Sequence, residues 1–280
     1  MNTLVVTDVL KKIQALPSLP AVVLDLLASM EQPEVDIDTL ARKIALDQAL
    51  TAKTLRLANS SFYGMQRQVT TVSEAIAVLG LSSVRNLATT AALVGALSSP
   101  GPGGFDFMAF WRHAIGTALC ARSLAAQTGL NPEQAYVAGL LHDIGRLVLA
   151  TQFSTQYAAV MALRADSDSY LLDAERAVLA LDHAVVGAAL AQHWKFPELM
   201  QQVVAQHHDI GLPGVPELAL VVHLADAVAH ALDFSMADDD LVPLVADATW
   251  LRLGLDEQKL RQTFRDAERQ FDAACGVLAA

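Results

Sequence analysis

Apolar residues recur at helical spacing along almost the whole chain, and this periodicity limits the fold more than any other feature. Ala138, Leu141 and Ile144, for example, fall on one face of a helix. Alternating β-branched runs bounded by turn residues are scarce. The 280 residues are 53% hydrophobic, which is enough for one large core or two moderate ones. We therefore predict an all-α fold.

A cluster of turn-forming residues, SSPGPGG at 98–104, divides the chain, because no helix could cross it. We predict an N-terminal helical subdomain over residues 1–97 and a linker over 98–104. A helical bundle with its C-terminal helices should follow over 105–280, with the first subdomain packed on it.

Several helix ends are readable from capping residues. Before the linker we expect five or six helices, with starts after Asp36 and Asp47 and an end at Gly80. Beyond the linker, Asn131 and Pro132 supply a cap and a first-turn proline. Further helices are expected around residues 174–194, 197–207, 217–232, 241–254 and 257–275.

The net charge of −11 is distributed unevenly. Residues 1–97 carry eight basic and eight acidic side chains, so the whole acidic excess lies in the second part of the chain. Binding of DNA through a basic surface is disfavoured, because that mode depends on Lys and Arg. The segment 71–87 has a helix-turn-helix pattern, yet its second helix offers only Arg85 and Asn86. DNA is therefore not expected as a partner.

Targeting signals are not evident in the sequence. The start MNTLVVTDVLKK lacks a continuous apolar stretch and a cleavage site, and the apolar runs are too short to cross a membrane. Cys120 and Cys275 show no paired spacing, which argues against a disulfide framework. A cytoplasmic protein without a membrane partner is expected.

All eight histidines lie after the linker, and several accompany aspartates within apolar helices. His142 and Asp143 interrupt one such helix, where an unpaired carboxylate would cost several kcal/mol. Asp143 therefore needs a cation beside it. Asp226 interrupts another apolar helix in the same way. Imidazole and carboxylate ligands without thiolate suit Fe, Mn, Ni or Zn.

The order of these residues resembles the HD superfamily of metal-dependent phosphohydrolases. That resemblance implies a helical fold and one or two divalent metal ions held by a shared set of side chains. The residues that would bind the metal are His113, His142, Asp143, His183, His207, His208 and Asp226.

A narrower resemblance covers about residues 16–208. The segments LPSLPAVVLDLL, AIAVLGLSSVRNL, FWRHA and AGLLHDIGRLVL are similar to the HDOD domain, an HD-related output domain of bacterial signalling proteins. The leading hypothesis is therefore a bacterial regulatory module that acts through contacts with signalling proteins, with metal as a possible ligand.

The alternative is a metal-dependent phosphohydrolase acting on a nucleotide or cyclic dinucleotide. In that case Asp143 would bridge two metals and Arg146 would hold phosphate. Compared with the related HD-GYP proteins, this chain has Ala109 in place of a glutamate and Arg146 in place of a lysine, and the loop DIGLPGVPEL lacks their tyrosine. These differences argue against recognition of cyclic di-GMP.

Three further histidines are left out of the predicted ligand set. His193 is expected to pack or to face solvent. His223 and His230 share a helix face with Asp226 and could surround a metal site from outside it. The simpler interpretation, that both are partly exposed polar positions, is the one we adopt.

Overall fold

A computed structural model describes residues 3–30, 36–60, 68–97, 105–237 and 240–279. Within these ranges the chain is helical and forms no strand, so the all-α prediction is confirmed. None of the described helices is long and apolar enough to cross a membrane. The helices are α1 (Val6–Gln14), α2 (Ala21–Ser29), α3 (Ile37–Ala45), α4 (Gln48–Ala58), α5 (Val72–Leu79), α6 (Leu81–Leu97), α7 (Phe107–Thr128), α8 (Pro132–Leu141), α9 (Ile144–Gln152), α10 (Ser154–Ser167), α11 (Leu171–Leu179), α12 (His183–His193), α13 (Glu198–Gln206), α14 (Glu217–Ala231), α15 (Asp247–Leu253), α16 (Glu257–Cys275) and a 3-10 helix (Gly276–Ala279).

Side-chain caps begin several helices at the predicted residues. Asp36 accepts hydrogen bonds from two backbone N–H groups of α3, and Asp47 accepts one from the first turn of α4. Asn131 caps α8, which begins at Pro132. Each cap satisfies an N–H group that has no partner within the helix. Gly80 ends α5 as expected.

Three predicted helices have different bounds. The helix expected to run through His142 and Asp143 is divided there into α8 and α9. The segment 174–194 is not one helix, because Ala180 adopts a left-handed conformation with φ 61° and ends α11 before α12 begins. The helix predicted over 241–254 starts only at Asp247. In addition, the sequence interpretation missed α1.

The N-terminal helices pack on the bundle through α6, which contacts α2, α4, α5 and α8. At this interface the hydroxyls of Thr90 and Tyr136 lie 2.8 Å apart and are buried. The C-terminal helix α16 packs along α7, and the 3-10 helix reaches α4 and α6. The predicted linker 98–104 lies outside the described residues, so a domain boundary there stays a prediction.

Arg85 and Asn86 differ from the exposed positions that a recognition helix requires, because both are buried on α6. Arg85 Nη1 donates to the backbone oxygen of Ser29 at 2.9 Å, and Nη2 lies 3.5 Å from Glu133 Oε2. These contacts tie α6 to the end of α2 and to α8. The exclusion of DNA as a partner itself stays a prediction.

Glycines allow the helices of the bundle to approach at backbone contact. A Cβ added to Gly139 of α8 would lie 2.8 Å from the Cα of Ala118 in α7. A Cβ added to Gly145 of α9 would overlap the carbonyl oxygen of His183 and lie 2.6 Å from the backbone nitrogen of Gly187 in α12. The first contact brings α8 close to α7, and the second brings α9 close to the start of α12. Both approaches place histidines beside Asp143.

Candidate metal centre

The seven predicted ligand residues come from five parts of the bundle, and the structure brings them together. His113 lies in the middle of α7, and His142 and Asp143 occupy the junction between α8 and α9. His183 is the first residue of α12, whereas Asp226 lies within α14. His207 and His208 directly follow α13. Six of the seven are buried and His208 is half-buried.

One group, here called the Asp143 cluster, consists of Asp143, His183, His207 and His208. Asp143 Oδ1 lies 3.1 Å from His183 Nε2 and 3.7 Å from His207 Nε2. His183 Nε2 lies 2.9 Å from His208 Nε2. The ligand atoms of these four residues all lie within 4.8 Å of one another. One ion could therefore contact all of them.

A second group, the Asp226 cluster, consists of His113, Asp226 and His230. Asp226 Oδ1 lies 2.9 Å from His113 Nε2 and 3.3 Å from His230 Nε2. His142 stands between the two clusters, since its Nε2 is 3.5 Å from both Asp143 Oδ1 and Asp226 Oδ1. The two clusters are therefore neighbours that share one imidazole.

Backbone carbonyls orient two of the imidazoles. His142 Nδ1 donates to the oxygen of Gly139 at 2.7 Å, and His207 Nδ1 donates to the oxygen of Val204 at 3.0 Å. A carbonyl oxygen can only accept, so the hydrogen of each neutral ring lies on Nδ1 and the Nε2 lone pair faces the cluster. Both Nε2 atoms are buried without a hydrogen-bond partner in the described structure. This arrangement is typical of metal-binding histidines.

A buried carboxylate, Glu175 of α11, orients His183. Its Oε2 accepts from His183 Nδ1 at 2.6 Å and from the backbone nitrogen of His183 at 2.8 Å. Glu175 has no exposed surface. The sequence interpretation missed this residue, because its contact depends on the left-handed turn at Ala180. A charged residue at a buried helix position was the only available signal.

Electrostatics in the two clusters favour ionised carboxylates. Burial acts to raise the pKa of Asp143, but His142, His183 and Arg146 hold it well below its ordinary value. Burial likewise opposes ionisation of Asp226, yet His230 and the other histidines hold its pKa well below the ordinary value. Two buried carboxylates thus remain negative.

The histidines divide into two electrostatic groups. Burial acts to lower the pKa of His183, but Glu175 and Asp143 raise it to about 10. Burial and the neighbouring His207 hold the pKa of His208 well below its ordinary value. Burial lowers the pKa of His207 as well. The centre therefore contains neutral imidazoles, which are the metal-binding form.

These residues fit a divalent ion of the first transition row. Donor atoms about 2.0–2.2 Å from one ion lie about 3 Å apart, and the close pairs around Asp143 and Asp226 have similar spacings. Buried Nε2 lone pairs without partners on His142 and His207 supply the orphaned donors that such an ion would satisfy. Nitrogen and carboxylate donors suit Fe, Mn, Ni or Zn.

Arg146 contacts Asp143 directly. Its Nη1 donates to Asp143 Oδ2 at 2.8 Å, and its Nε donates to the Tyr157 hydroxyl at 3.4 Å. The guanidinium also lies 5.7 Å from the centre of the Phe110 ring. One carboxylate oxygen of Asp143 therefore faces the histidines while the other is occupied by an arginine.

A cavity of about 910 Å³ opens beside both clusters. Asp143 and His183 of the first cluster and His113 and Asp226 of the second are among the residues that line it. Pockets for small ligands are usually about 300–1,000 Å³, so this one is large enough for a nucleotide-sized molecule. The larger apolar and aromatic residues along it include Phe105, Phe110, Tyr157, Met161, Tyr170, Met236 and Leu244.

The interpretation as a partly exposed polar position is wrong for His223, whereas His230 is half-buried. His223 is buried, and its Nδ1 donates to the backbone oxygen of His207 at 2.9 Å, so it supports the end of α13. His230 contacts Asp226, a predicted ligand. The burial of His223 and its contact with His207 are features that the helical spacing alone does not reveal. His193, in contrast, is half-buried at the far end of α12.

Comparison with known proteins agrees with this architecture. Residues 16–210 match the model of the HDOD domain. The chain belongs to the HDOD family. An HDOD domain protein with unknown function from Geobacter sulfurreducens shares 28% identity and a TM-score of 0.74, over 94% of this chain and 89% of that one. A presumed phosphohydrolase from Shewanella amazonensis SB2B shares 27% identity and a TM-score of 0.73, over 96% and 97% of the two chains. This HDOD chain is thus an HD-like module with a candidate metal site.

Curated relatives of this HDOD chain are longer. An uncharacterized protein from Treponema pallidum is 27% identical over an alignment of 280 positions, which covers 97% of this chain and 53% of that protein. Ribonuclease Y from Thermotoga petrophila is 32% identical over 119 residues, which are 42% of this chain and 18% of that enzyme. The chain therefore spans about half the length of the first relative and corresponds to a small part of the second.

Proposed function

We propose that this chain is a bacterial signalling module that binds one or two divalent metal ions at the histidine–aspartate centre and acts through contacts with other signalling proteins. The observation that carries the metal assignment is the pair of buried, unpartnered Nε2 atoms of His142 and His207, both directed at Asp143. A presumed signal transduction protein from Marinobacter aquaeolei VT8 supports the signalling role. It is 25% identical with a TM-score of 0.79, over 95% of this chain and 60% of that one.

Two helices connect the centre with the N-terminal subdomain. Helix α12 begins at His183 and ends beside Trp194, whose indole Nε1 donates to the oxygen of Pro17 at 3.2 Å. Helix α8 ends next to His142 and carries Tyr136, which contacts Thr90 of α6. Metal binding at the centre can therefore shift α8 and α12 and, through them, alter the surface of the N-terminal subdomain.

The position of Arg146 favours regulation over turnover. It is held by Asp143 and Tyr157, so its guanidinium is engaged within the protein. An arginine is also too basic to donate a proton readily near neutral pH. The side chain therefore stabilises Asp143 more readily than it serves as a proton donor.

Metal analysis and hydrogen exchange together test this proposal. The protein is purified without chelator, and bound metal is measured in the wild type, in Asp143→Asn and Asp143→Ala, and in Asp272→Asn, an exposed control on α16. We expect metal in the wild type and the control and its loss in both Asp143 variants. Adding Mn²⁺ to protein freed of metal with a chelator should slow the hydrogen exchange of backbone amides within residues 6–30 and 81–97. A folded wild type that takes up no metal would overturn the proposal, as would uptake that leaves exchange in the N-terminal helices unchanged.

A second candidate function is hydrolysis of a phosphate ester, favoured by the cavity that joins both clusters to Arg146 and to aromatic walls. A bound metal would supply Lewis acidity and an activated water. Arg146 would hold a phosphate oxygen, and Phe110 and Tyr157 would pack against a base or another planar group. The partial likeness to ribonuclease Y supports a phosphodiester as the substrate class.

Hydrolysis assays decide between the two functions. Bis(p-nitrophenyl) phosphate, nucleoside mono- and triphosphates, cyclic dinucleotides and a short RNA are incubated with Mn²⁺-loaded protein. Turnover that is lost in both Asp143→Asn and Arg146→Ala, but not in Asp272→Asn, would replace the regulatory function by the enzymatic one. Metal-loaded protein without turnover on any of these substrates would favour regulation.

A further inference from the structure

His230 has the geometry of a metal ligand although it lies outside the family-like set. It follows Asp226 by four residues on α14, so both side chains project from the same helix face. Its Nε2 lies 3.3 Å from Asp226 Oδ1, and its ring centre is 4.4 Å from that of His113. All three residues line the cavity, and their ligand atoms lie within 4.8 Å of one another.

An outer carboxylate fixes the orientation of His230. Asp240 Oδ1 accepts from His230 Nδ1 at 2.6 Å, and Asp240 Oδ2 accepts from Ser235 Oγ at 2.6 Å. The backbone nitrogen of Ala237 donates in turn to Ser235 Oγ at 3.1 Å. With the hydrogen held on Nδ1, the Nε2 lone pair of the neutral ring faces Asp226. Histidines that bind metal commonly have such an outer carboxylate.

The crowding at Asp226 Oδ1 is hard to satisfy by hydrogen bonds alone. The Nε2 atoms of His113, His142 and His230 face this single oxygen at 2.9, 3.5 and 3.3 Å. In the neutral rings of His142 and His230 the hydrogen lies on Nδ1, held by Gly139 and Asp240, so neither Nε2 atom can donate to this oxygen. A cation beside Oδ1 would be coordinated by the oxygen and by the imidazole lone pairs together.

We infer that His113, Asp226 and His230 form a cation subsite of their own, with His230 as its third ligand and Asp240 as the residue that positions His230. The inference rests on the proposed metal-binding function and specifies that its second ion is separable and has His230 as a ligand. Two imidazoles and one carboxylate beside an open cavity suit a divalent ion of the first transition row, with positions left for water or ligand oxygen.

Metal titration tests the subsite with Co²⁺ and Zn²⁺ as probes. Chelated full-length protein is titrated by calorimetry, and the Co²⁺ absorption spectrum is recorded at each step. We expect the wild type to bind two equivalents and His230→Gln to bind one. Asp240→Asn should keep two, with the second bound about 10- to 100-fold more weakly. Asp143→Asn should lose the equivalent that His230→Gln retains.

Further variants distinguish the loss of a metal ligand from the loss of the folded structure. His193→Gln replaces a half-buried histidine at the far end of α12 and should bind two equivalents. His230→Ala should match His230→Gln, and circular dichroism should show native helix content in both variants. Two equivalents in folded His230→Gln would overturn the subsite while leaving the proposed function intact. The subsite would also be overturned, and the proposed function left intact, if the wild type bound one equivalent that Asp143→Asn lost and His230→Gln kept. No binding by the wild type would overturn the proposed function itself.

Discussion

The Asp143 and Asp226 clusters have the same plan but differ in rigidity and charge. Each contains a carboxylate, histidines around it and one histidine held at 2.6 Å by an outer carboxylate, namely Glu175 or Asp240. Glu175 is fully buried on α11, whereas the Asp240 side chain is 11% exposed in the segment before α15. Arg146 neutralises part of the charge on Asp143, while the charged contacts of Asp226 within the described residues are with histidines.

This difference indicates separate roles for the two clusters. The Asp143 cluster is built on helix ends that are locked by glycine contacts and by a buried carboxylate, so its geometry exists before any ion binds. The Asp226 cluster depends on an outer residue near the cavity, so ligands in the cavity can influence it. We expect the first cluster to hold its ion more permanently and the second to exchange its ion more readily.

The largest effect should come from Gly145→Ala, which disturbs only the first cluster. The added methyl group would overlap the carbonyl oxygen of His183 and separate α9 from α12. We expect the free energy of unfolding in urea to fall by about 1–3 kcal/mol. The equivalent of metal that depends on Asp143 should also be lost.

Gly95→Ala is the matched control for Gly145→Ala, since a Cβ at Gly95 meets only the end of Lys53, at 4.0 Å. This exposed-side change on α6 should keep both ions and leave stability unchanged or raise it by up to about 1 kcal/mol. Equal stability and equal metal content in the two variants would contradict the proposed role of the glycine contact.

Glu175→Gln should have the next largest effect and tests the buried outer carboxylate. Removing its charge weakens the orientation and basicity of His183, so the affinity of the Asp143 cluster for Zn²⁺ should fall about 10- to 100-fold. Competition with a chromogenic chelator measures the change, and Glu268→Gln on the exposed side of α16 is the control. A larger loss of Zn²⁺ affinity in Asp240→Asn than in Glu175→Gln would mean that the Asp226 cluster depends more on its outer carboxylate than the Asp143 cluster does.

Arg146→Met should strengthen metal binding, in contrast to the other substitutions. Removing a guanidinium that lies 2.8 Å from Asp143 Oδ2 removes repulsion of the incoming cation and frees that oxygen. We expect roughly a tenfold gain in Zn²⁺ affinity at the Asp143 cluster. The same chelator competition measures it, with Arg265→Met on α16 as an exposed control. Weaker binding in Arg146→Met would show that the arginine organises the site.

The smallest effect concerns pH and the metal-free protein. Although burial acts to lower the pKa values of His183 and His230, Glu175 and Asp143 raise the first to about 10 and Asp226 and Asp240 raise the second to about 10. A raised folded-state pKa stabilises the protonated form, so this contribution is complete below about pH 6.5 and is lost as the pH rises toward 10. The lowered pKa values of His207 and His208 act below pH 6.5, outside this range.

Thermal unfolding with excess chelator measures this dependence. The melting temperature should be a few degrees lower at pH 8.5 than at pH 6.5. A double variant, His183→Gln with His230→Gln, should show a smaller difference between the two pH values. A melting temperature that rises across this interval in the wild type would contradict the assignment of both histidines as protonated in the absence of metal.

Local signals made most of the helices predictable. The caps at Asp36, Asp47 and Asn131 act within three residues of the helix they begin, so a short window of sequence contains the whole interaction. The family resemblance predicted which seven residues would converge, and the structure brings those seven together. Whether they bind metal stays a prediction.

Contacts between distant segments could not be predicted in the same way. Glu175 reaches His183 only because Ala180 turns the chain left-handed, and nothing about an alanine predicts that conformation. His230 could be placed on the face of Asp226 by helical spacing, yet spacing does not show that this face is buried. Asp240 joins the site through a hydrogen bond to His230, ten positions earlier in the chain. Such residues require tertiary information.

The contact between Gly139 and Ala118 has a consequence for how the sequence can vary. The separation of α7 from α8, and hence of His113 from His142, is set by backbone atoms rather than by the shapes of core side chains. Leucine, valine and isoleucine positions elsewhere in the core can therefore exchange for one another without moving these two histidines. The tolerance ends at residue 139, where a single added carbon would force the two helices apart.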